Sequence, residues 1–344
     1  VPALTTRASE LTLDTKKQQF DLSVIIVSYN TREVLHRCFQ HLRESSEGLT
    51  IEIIVVDNGS KDGSVEMLEA QYPEVRVIRS DVNLGFGAAN NRALVQATGR
   101  YLILLNSDAF LRPDALRLAI AHMDANPEVG LGGGRLIGPD EAWQPSARQF
   151  PSVLNDFLSL SGLASRFPQS RFFGRADRTW SDPMQPAEVD WVPGAFSIIS
   201  PKALEAVGIF DEDFFLYYEE VDLCRRIKAR GFKVLYWPDV VVVHLGGESS
   251  KTVPQAVMSR SGSQLTLWRM RSELLYYRKH HGFLGAFLAC SMERLWHGLR
   301  HFRNSRSSGQ DRSDKAAESR TVSELMKRAW KETQGGKISP PRPW

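Results

Sequence analysis

Between Leu22 and about Ala125 the chain alternates apolar, β-branched runs with segments of helical spacing, and this alternation restricts the fold more than any other feature. "LSVIIVSYN" reads as a buried strand, "TREVLHRCFQHLRE" as a helix with Thr31 as N-cap, and "IEIIVVDNGS" as a second strand closed by turn residues. "SVEMLEAQY", "VRVIRS", "AANNRALVQAT" and "YLILLNSD" continue the series as helix, strand, helix, strand, and a helix follows at about 113 to 125. Such a succession predicts a parallel sheet with crossover helices. Ligands of such sheets lie beyond the carboxyl ends of the strands, so Asn30, Asp57 and Asp108 are expected around one crevice.

Residues 138 to 190 are rich in Pro, Gly, Arg and aromatics without periodicity, which predicts an irregular, partly mobile segment over that crevice. "VDWVPGAFSIIS" and "KVLYWPDVVVVHL" are expected as strands on either side of a helix that carries "FLYYEEVDLCRR". The expected division is a polar leader over 1–21, a catalytic domain over 22–253, an amphipathic helical region over 254–303 and a polar basic tail, partly disordered, over 304–344. The leader lacks the apolar core of a signal peptide.

At 344 residues the chain has room for one large α/β domain with an appendage. A formal net charge of +3 is mild and argues neither for nor against a nucleic-acid partner, but no nucleic-acid-binding motif accompanies the charge, so none is expected. Cys38, Cys224 and Cys290 stand far apart, which is neither a disulfide framework nor a zinc site and suits a reducing, cytoplasmic compartment. No run reaches the roughly 18 apolar residues of a spanning helix. The nearest, "FLGAFLACSM", suits an interfacial segment, and the basic and aromatic residues of 254–303 are expected either at an anionic membrane surface or packed on the sheet or a second subunit, a homodimer being the open alternative.

Single motifs each have a plain structural alternative. Asp57 in "VVDNGS" can accept from a nucleobase or ribose, or cap a turn. "NLGFGAANN" sets Gly85 and Gly87 before a helix N-terminus, where free N–H groups suit a diphosphate. It contains GxGxxN, but a dinucleotide fingerprint follows the first strand and carries a third Gly, where this chain has Asn90 after the third strand. Asp108 in "LLNSD" suits a hard cation, and His244 after "VVVV" is either a structural histidine or its companion ligand for Mn²⁺ or Mg²⁺. If "FLYYEEVDLCRR" is helical from Leu216, Glu220 shares the apolar stripe of Leu216, Leu223 and Ile227. Glu219, Asp222 and Arg226 fall on another face, where Asp222 and the arginines would form a surface pair worth about 0.3 kcal/mol. An inward carboxylate loses solvation and becomes a candidate general base.

Taken in order, "VIIVSYN", "VVDNGSKDGS", "NLGFGAANNRAL", "LLNSDA", "WVPGAF", "FDEDFFLYYEEVDLCRRIKARGFKV" and "VVHLGGES" resemble the inverting glycosyltransferases of family 2 over roughly residues 22 to 250. The pattern is most similar to bacterial rhamnosyltransferase-like members. The resemblance implies a GT-A fold, Rossmann-like and α/β, with a mostly parallel central sheet, helices on both faces and a C-terminal helical extension. It implies a dTDP- or UDP-linked sugar donor, dTDP-L-rhamnose first, and a glycan or polyprenyl-diphosphate-linked acceptor in surface polysaccharide synthesis. Carried over, Ser28, Tyr29, Asn30 and Asp57 serve base and ribose, while Asn83, Gly85, Phe86, Gly87, Asn90 and Asn91 line the nucleotide side. Asn106 and Ser107 complete the donor contacts, and Asp108 with His244 holds the cation. Glu220, supported by Glu219 and Asp222, is the catalytic base; Trp191, Gly194 and Ala195 are expected to shape the sugar pocket, since Gly permits close approach and an indole face suits a sugar ring, the alternative for Trp191 being a core residue beside a tight turn. The family's DXD motif reads Asn-Ser-Asp here, its usual Asp base is Glu220, and Ala93 stands where many members have Gly. A nucleotidyltransferase would need a Gly-rich loop after the first strand, which "SYNTREVLHR" lacks, and a binding-only pseudoenzyme would bind nucleotide without turnover.

Overall fold

A computed structural model describes residues 19–253, 257–259, 264–306 and 309–341. The strands are β1 Phe20–Ser28, β2 Ile51–Asp57, β3 Arg76–Arg79, β4 Gly99–Asn106, β5 Ala109–Leu111, β6 Val129–Ile137, β7 Trp143–Gln144, β8 Ala187–Glu188, β9 Phe196–Ile199 and β10 Lys233–His244. The helices are α1 Arg32–Ser45, α2 Ser64–Gln71, α3 Phe86–Leu94, α4 Ala115–Ala125, α5 Val153–Leu160, α6 Leu163–Arg166, α7 Pro201–Val207, α8 Glu219–Ala229, α9 Glu248–Lys251, α10 Thr266–Ser305 and α11 Gln310–Glu332.

One sheet runs in the order β3-β2-β1-β4-β9-β6-β10-β5. Its first half is the parallel sheet that the alternation predicts, with β2, β1 and β4 in register so that Ser28 pairs with Asp57 and Val27 with Asn106. Beyond β4 the pairing becomes mixed: β9 is antiparallel to both β4 and β6, β10 is parallel to β6, and β5 is antiparallel to β10. The β-branched runs of β1 and β2 fill a core with Leu35, Phe39 and Leu42 of α1, because strands covered on both faces carry continuous apolar sequence.

Composition hid β6, "VGLGGGRLI", which lies between β9 and β10. Its glycines are explained by close approach: a Cβ on Gly132 would lie 1.9 Å from the Trp237 ring. Pro238 is tolerated inside β10 because the pairing with β6 slips between Trp237 and Val241.

The chain divides into two compact units. Among the described residues, the first takes in those up to Arg148, then Asp182–Asp211 and Glu220–Thr252. The second holds Gln149–Ser181, Glu212–Glu219 and the residues from Val253 onward. The break is therefore not a single one at 253, and the segment expected as an irregular cover contributes α5 and α6 to the second unit. The tail expected from 304 holds the 23-residue α11, which packs Met326 and Ala329 against Met270, Leu274 and Cys290 of α10. Within this unit α10 kinks at Gly282, and Arg269 before the kink pairs with both Glu273 and Glu293, the latter beyond it. The Tyr277 hydroxyl donates to Asp156 of α5.

Candidate functional site

The first unit gathers the polar ends of its strands, as the alternation predicts. Asp57 closes β2 beside Ser28 of β1; one of its carboxylate oxygens, Oδ2, accepts from the Ser60 N–H at 3.1 Å. The other, Oδ1, is buried without a hydrogen-bond partner. An acceptor left unsatisfied in a buried position is costly, and a ligand donor would relieve it. Gly59, at φ +87, lets the turn after Asp57 lie against Val82, whose carbonyl carbon would be 3.1 Å from a Cβ there.

Several residues assigned to the nucleotide turn out to brace the loops. Ser28 Oγ lies 3.1 Å from Thr31 Oγ1, which donates to Ser107 Oγ, so both serines belong to a buried hydroxyl chain joining β1 to the end of β4. Asn30, at φ 51, receives no help from a helix; its N–H donates to Ser60 Oγ and its Oδ1 accepts from the Lys61 N–H. Asn83 Oδ1 accepts from the Gly85 N–H and from Asn58 Nδ2. Asn58, which sequence reasoning passed over inside its own "DNGS" motif, also accepts from the Leu84 N–H and thus fixes the glycine loop. Asn90 Nδ2 donates to the Phe86 carbonyl. Asn91 is buried and clamps the Phe210 backbone with both ends of its amide, Nδ2 to O at 2.9 Å and Oδ1 from N–H at 3.0 Å. Tyr29 and Asn106 are half-buried, and the Asn106 N–H donates to the Ala195 carbonyl.

That last bond draws "WVPGAF" to the end of β4. A Cβ on Gly194 would meet the Phe86 ring at 3.4 Å, so Gly194 and Phe86 form one wall, with Gly87 buried behind. Trp191, expected to shape the sugar pocket, is buried, and the Arg148 guanidinium lies 4.6 Å over its ring. Arg148 itself was missed, since it sits in a segment whose composition gave no periodic signal.

Asp108 and His244 meet because β5 and β10 pair antiparallel, with His244 opposite Ala109. Asp108 Oδ1 is 3.5 Å from His244 Nε2. The other imidazole nitrogen, Nδ1, is 3.0 Å from Gln144 Oε1, which orients the ring. Burial pushes the Asp108 carboxyl up, but the contact with His244 and the N–H of Glu248 outweigh it and hold it below the usual range. His244 Nε2 is buried with no hydrogen-bond partner. An ionised carboxylate next to an unsatisfied imidazole nitrogen fits a divalent cation whose other ligands come from phosphate and water. Among the described residues no group of three or more His, Cys, Asp or Glu is placed so as to hold a metal ion.

The acidic stretch is rearranged relative to the helical reading. The α8 helix begins only at Glu219, after Tyr217 and Tyr218, both at φ 70. Asp222 is fully buried rather than at the surface: it accepts from Arg226 Nε at 2.8 Å, while the guanidinium also donates to the carbonyls of Val207 and Ile209. Asp222 therefore holds the loop after α7 to α8. Glu219 is buried as well. Glu220 is partly buried, its Oε2 is enclosed with no hydrogen-bond partner, and burial raises its pKa despite the opposing Arg148 charge and the Gly194 N–H. Burial likewise pushes the neighbouring Cys224 thiol up to about 12, leaving it inert. A carboxylate with a free oxygen and a raised pKa, beside the Gly194 wall, has the properties of a general base.

Residues 23–185 match the family model described as Glycosyl transferase family 2. The chain is 29% identical over 248 residues to the N-acetylglucosaminyl-diphospho-decaprenol L-rhamnosyltransferase of Mycobacterium tuberculosis (strain H37Rv), covering 68% of this chain and 78% of that one. It is 26% identical over 243 residues to the rhamnosyltransferase WbbL of Escherichia coli K12, covering 67% and 85%. Among solved structures, a mannosyltransferase from Pyrobaculum calidifontis in complex with GDP-Man and Mn²⁺ aligns over 91% of this chain and 86% of its own, with a TM-score of 0.51 and 17% identity. The fold is that of the GT-A-like α/β enzymes.

Proposed function

We propose that this chain, whose residues 23–185 match the Glycosyl transferase family 2 model, transfers a hexose, L-rhamnose from dTDP-L-rhamnose first, to a hydroxyl of a lipid-linked glycan with inversion at the anomeric carbon. The sugar is suggested by two relatives that are rhamnosyltransferases, and the acceptor class by the decaprenol diphosphate in the name of one of them. The observation that carries the reaction type is the enclosed, unpartnered oxygen of Glu220 with its raised pKa, next to the wall of Gly194 and Phe86.

In this reading Glu220 takes the proton of the acceptor hydroxyl as its oxygen attacks the anomeric carbon, and the bond to the nucleotide diphosphate breaks on the opposite side. Asp57 Oδ1 receives a donor from the nucleoside, and Asn58 and Asn83 keep the Gly85 loop open at the start of α3. Asp108 and His244 would hold Mg²⁺ or Mn²⁺, which, when bound, neutralises charge on the departing diphosphate. Arg148, stacked on Trp191, adds a fixed positive charge near Glu220.

The test is a panel of dTDP-, UDP- and GDP-linked sugars offered with a polyprenyl-diphosphate glycan, with the product's anomeric configuration read by NMR. Transfer with inversion from a dTDP-linked sugar is expected. Retention of configuration, or donor binding with no transfer to any acceptor, would overturn the reading.

A further inference from the structure

Beyond Gly282, α10 presents a row of large apolar side chains to solvent: Phe283, Leu284, Phe287, Leu288, Leu295, Leu299 and Phe302 are all exposed, Leu284 and Leu295 by 65%. At about 100° per residue these positions fall within an arc of roughly 160°, and from 283 to 302 they run for roughly 30 Å along one side of the helix. Isolated exposed leucines need no explanation, but a continuous stripe of this length on one face does. The opposite side of the same helix is accounted for, since Ala286, Ala289, Cys290, Glu293 and His297 are buried. Phe283 and Phe287, at the start of the stripe, also approach the Trp330 ring of α11, with centroids 6.0 and 6.2 Å apart, while the rest of the stripe lies outside the face that packs on α11.

Charge selects the occupant. Glu293 is the sole acidic residue between positions 278 and 306, and it is turned inward against Arg269. Arg294, Arg303 and Arg306 are exposed along the stripe, with Arg306 stacked over the Phe302 ring at 3.7 Å and Arg278 over Phe283 at 5.1 Å. A second copy docked face to face would bring these arginines together with no exposed carboxylate on the stripe to receive them. An anionic lipid surface receives both parts, the apolar side chains among the acyl chains and the guanidinium groups at the phosphates. No helix among the described residues is long and apolar enough to cross a membrane, so the contact is one of lying on the surface.

We propose that the part of α10 from Phe283 to Arg306 is a docking face for an anionic lipid surface. It deepens the preceding reading, since a lipid-linked acceptor lies at such a surface, and it rests on that reading for its purpose but not for its test. The full chain is floated with vesicles of phosphatidylcholine alone and of phosphatidylcholine mixed with phosphatidylglycerol. Binding to the mixed vesicles is expected, with at least a tenfold loss in Leu284→Ser/Leu295→Ser/Leu299→Ser and a comparable loss in Arg294→Glu/Arg306→Glu. Because these side chains are exposed, both variants should keep the wild-type melting temperature and wild-type turnover on a short soluble acceptor. Absence of flotation, flotation unchanged in the leucine variant, or a concentration-dependent dimer abolished by the same changes in a protein that ignores vesicles would each overturn the proposal. Flotation without sugar transfer would instead count against the enzymatic reading alone.

Discussion

Replacing Asp222 separates a structural carboxylate from a catalytic one. Its side chain is wholly enclosed and accepts from Arg226 Nε at 2.8 Å, and that guanidinium simultaneously satisfies the carbonyls of Val207 and Ile209. Removing one member of a buried ion pair costs about 3–5 kcal/mol because the remaining charge stays partly desolvated. The Arg226 side chain is 21% exposed and can regain some water, so Asp222→Ala should fall at the lower end, about 3 kcal/mol. Asp222→Asn keeps an acceptor for Nε and should cost about 1–2 kcal/mol. Urea denaturation of Asp222→Ala, Arg226→Met and the double variant should give a coupling of at least ~2 kcal/mol. Well below its midpoint, Asp222→Asn should turn over within a few-fold of wild type. A coupling under ~0.5 kcal/mol, the value of an exposed pair, would refute the burial argument; loss of turnover in a stably folded Asp222→Asn would refute the structural assignment.

Burial favours the neutral form of Glu220, so its folded pKa lies above the ordinary carboxylate value and the base becomes available only as pH rises. The acid limb of kcat against pH should therefore sit above the roughly 4.3 of a free glutamate, and a limb at or below that value would contradict the assignment. The same shift means that whatever stability Glu220 contributes is full at low pH and is lost as pH rises through the raised pKa; Glu220→Gln should flatten that part of the stability profile measured by urea titration. Asn91→Ala should destabilise by about 2–4 kcal/mol, since it orphans both backbone groups of Phe210, with a midpoint shift in urea as the readout. Asp57→Ala should weaken nucleotide binding roughly 10- to 150-fold in calorimetry, the loss of a charge-assisted hydrogen bond of about 1.5–3 kcal/mol.

The half of the sheet built on β1, β2 and β4 was legible because its strands are covered on both faces and spell out continuous β-branched runs. The mixed half was not. Four glycines in nine residues hide β6, since their reason is the Trp237 ring packed on Gly132 from a strand a hundred residues away. The strand-end residues Asp57 and Asp108 stand out in the sequence by their position, and Glu220 by its place among apolar neighbours. Helical spacing puts Asp222 on the Arg226 face, where it lies, but that face is not the surface expected of it, because the loop after α7 covers it. The chain also turns through two tyrosines of positive φ and starts the helix only at Glu219, so Leu216 drops out of the stripe assigned to it. The partners of Asn91 and Trp191, the Phe210 backbone and Arg148, are distant in sequence and visible only in the fold. Arg148 had no sequence signal beyond its presence in an arginine-rich segment.

Single-turnover sugar transfer by Glu220→Gln, with donor affinity measured on the same preparation, tests the central claim most directly. Glutamine keeps the size of the side chain but cannot take the acceptor proton. The rate should fall by about 10²- to 10⁴-fold while the donor dissociation constant stays within a few-fold of wild type. A Glu220→Gln protein that transfers sugar at the wild-type rate would show that another group removes the proton and that the enclosed carboxylate serves only the fold.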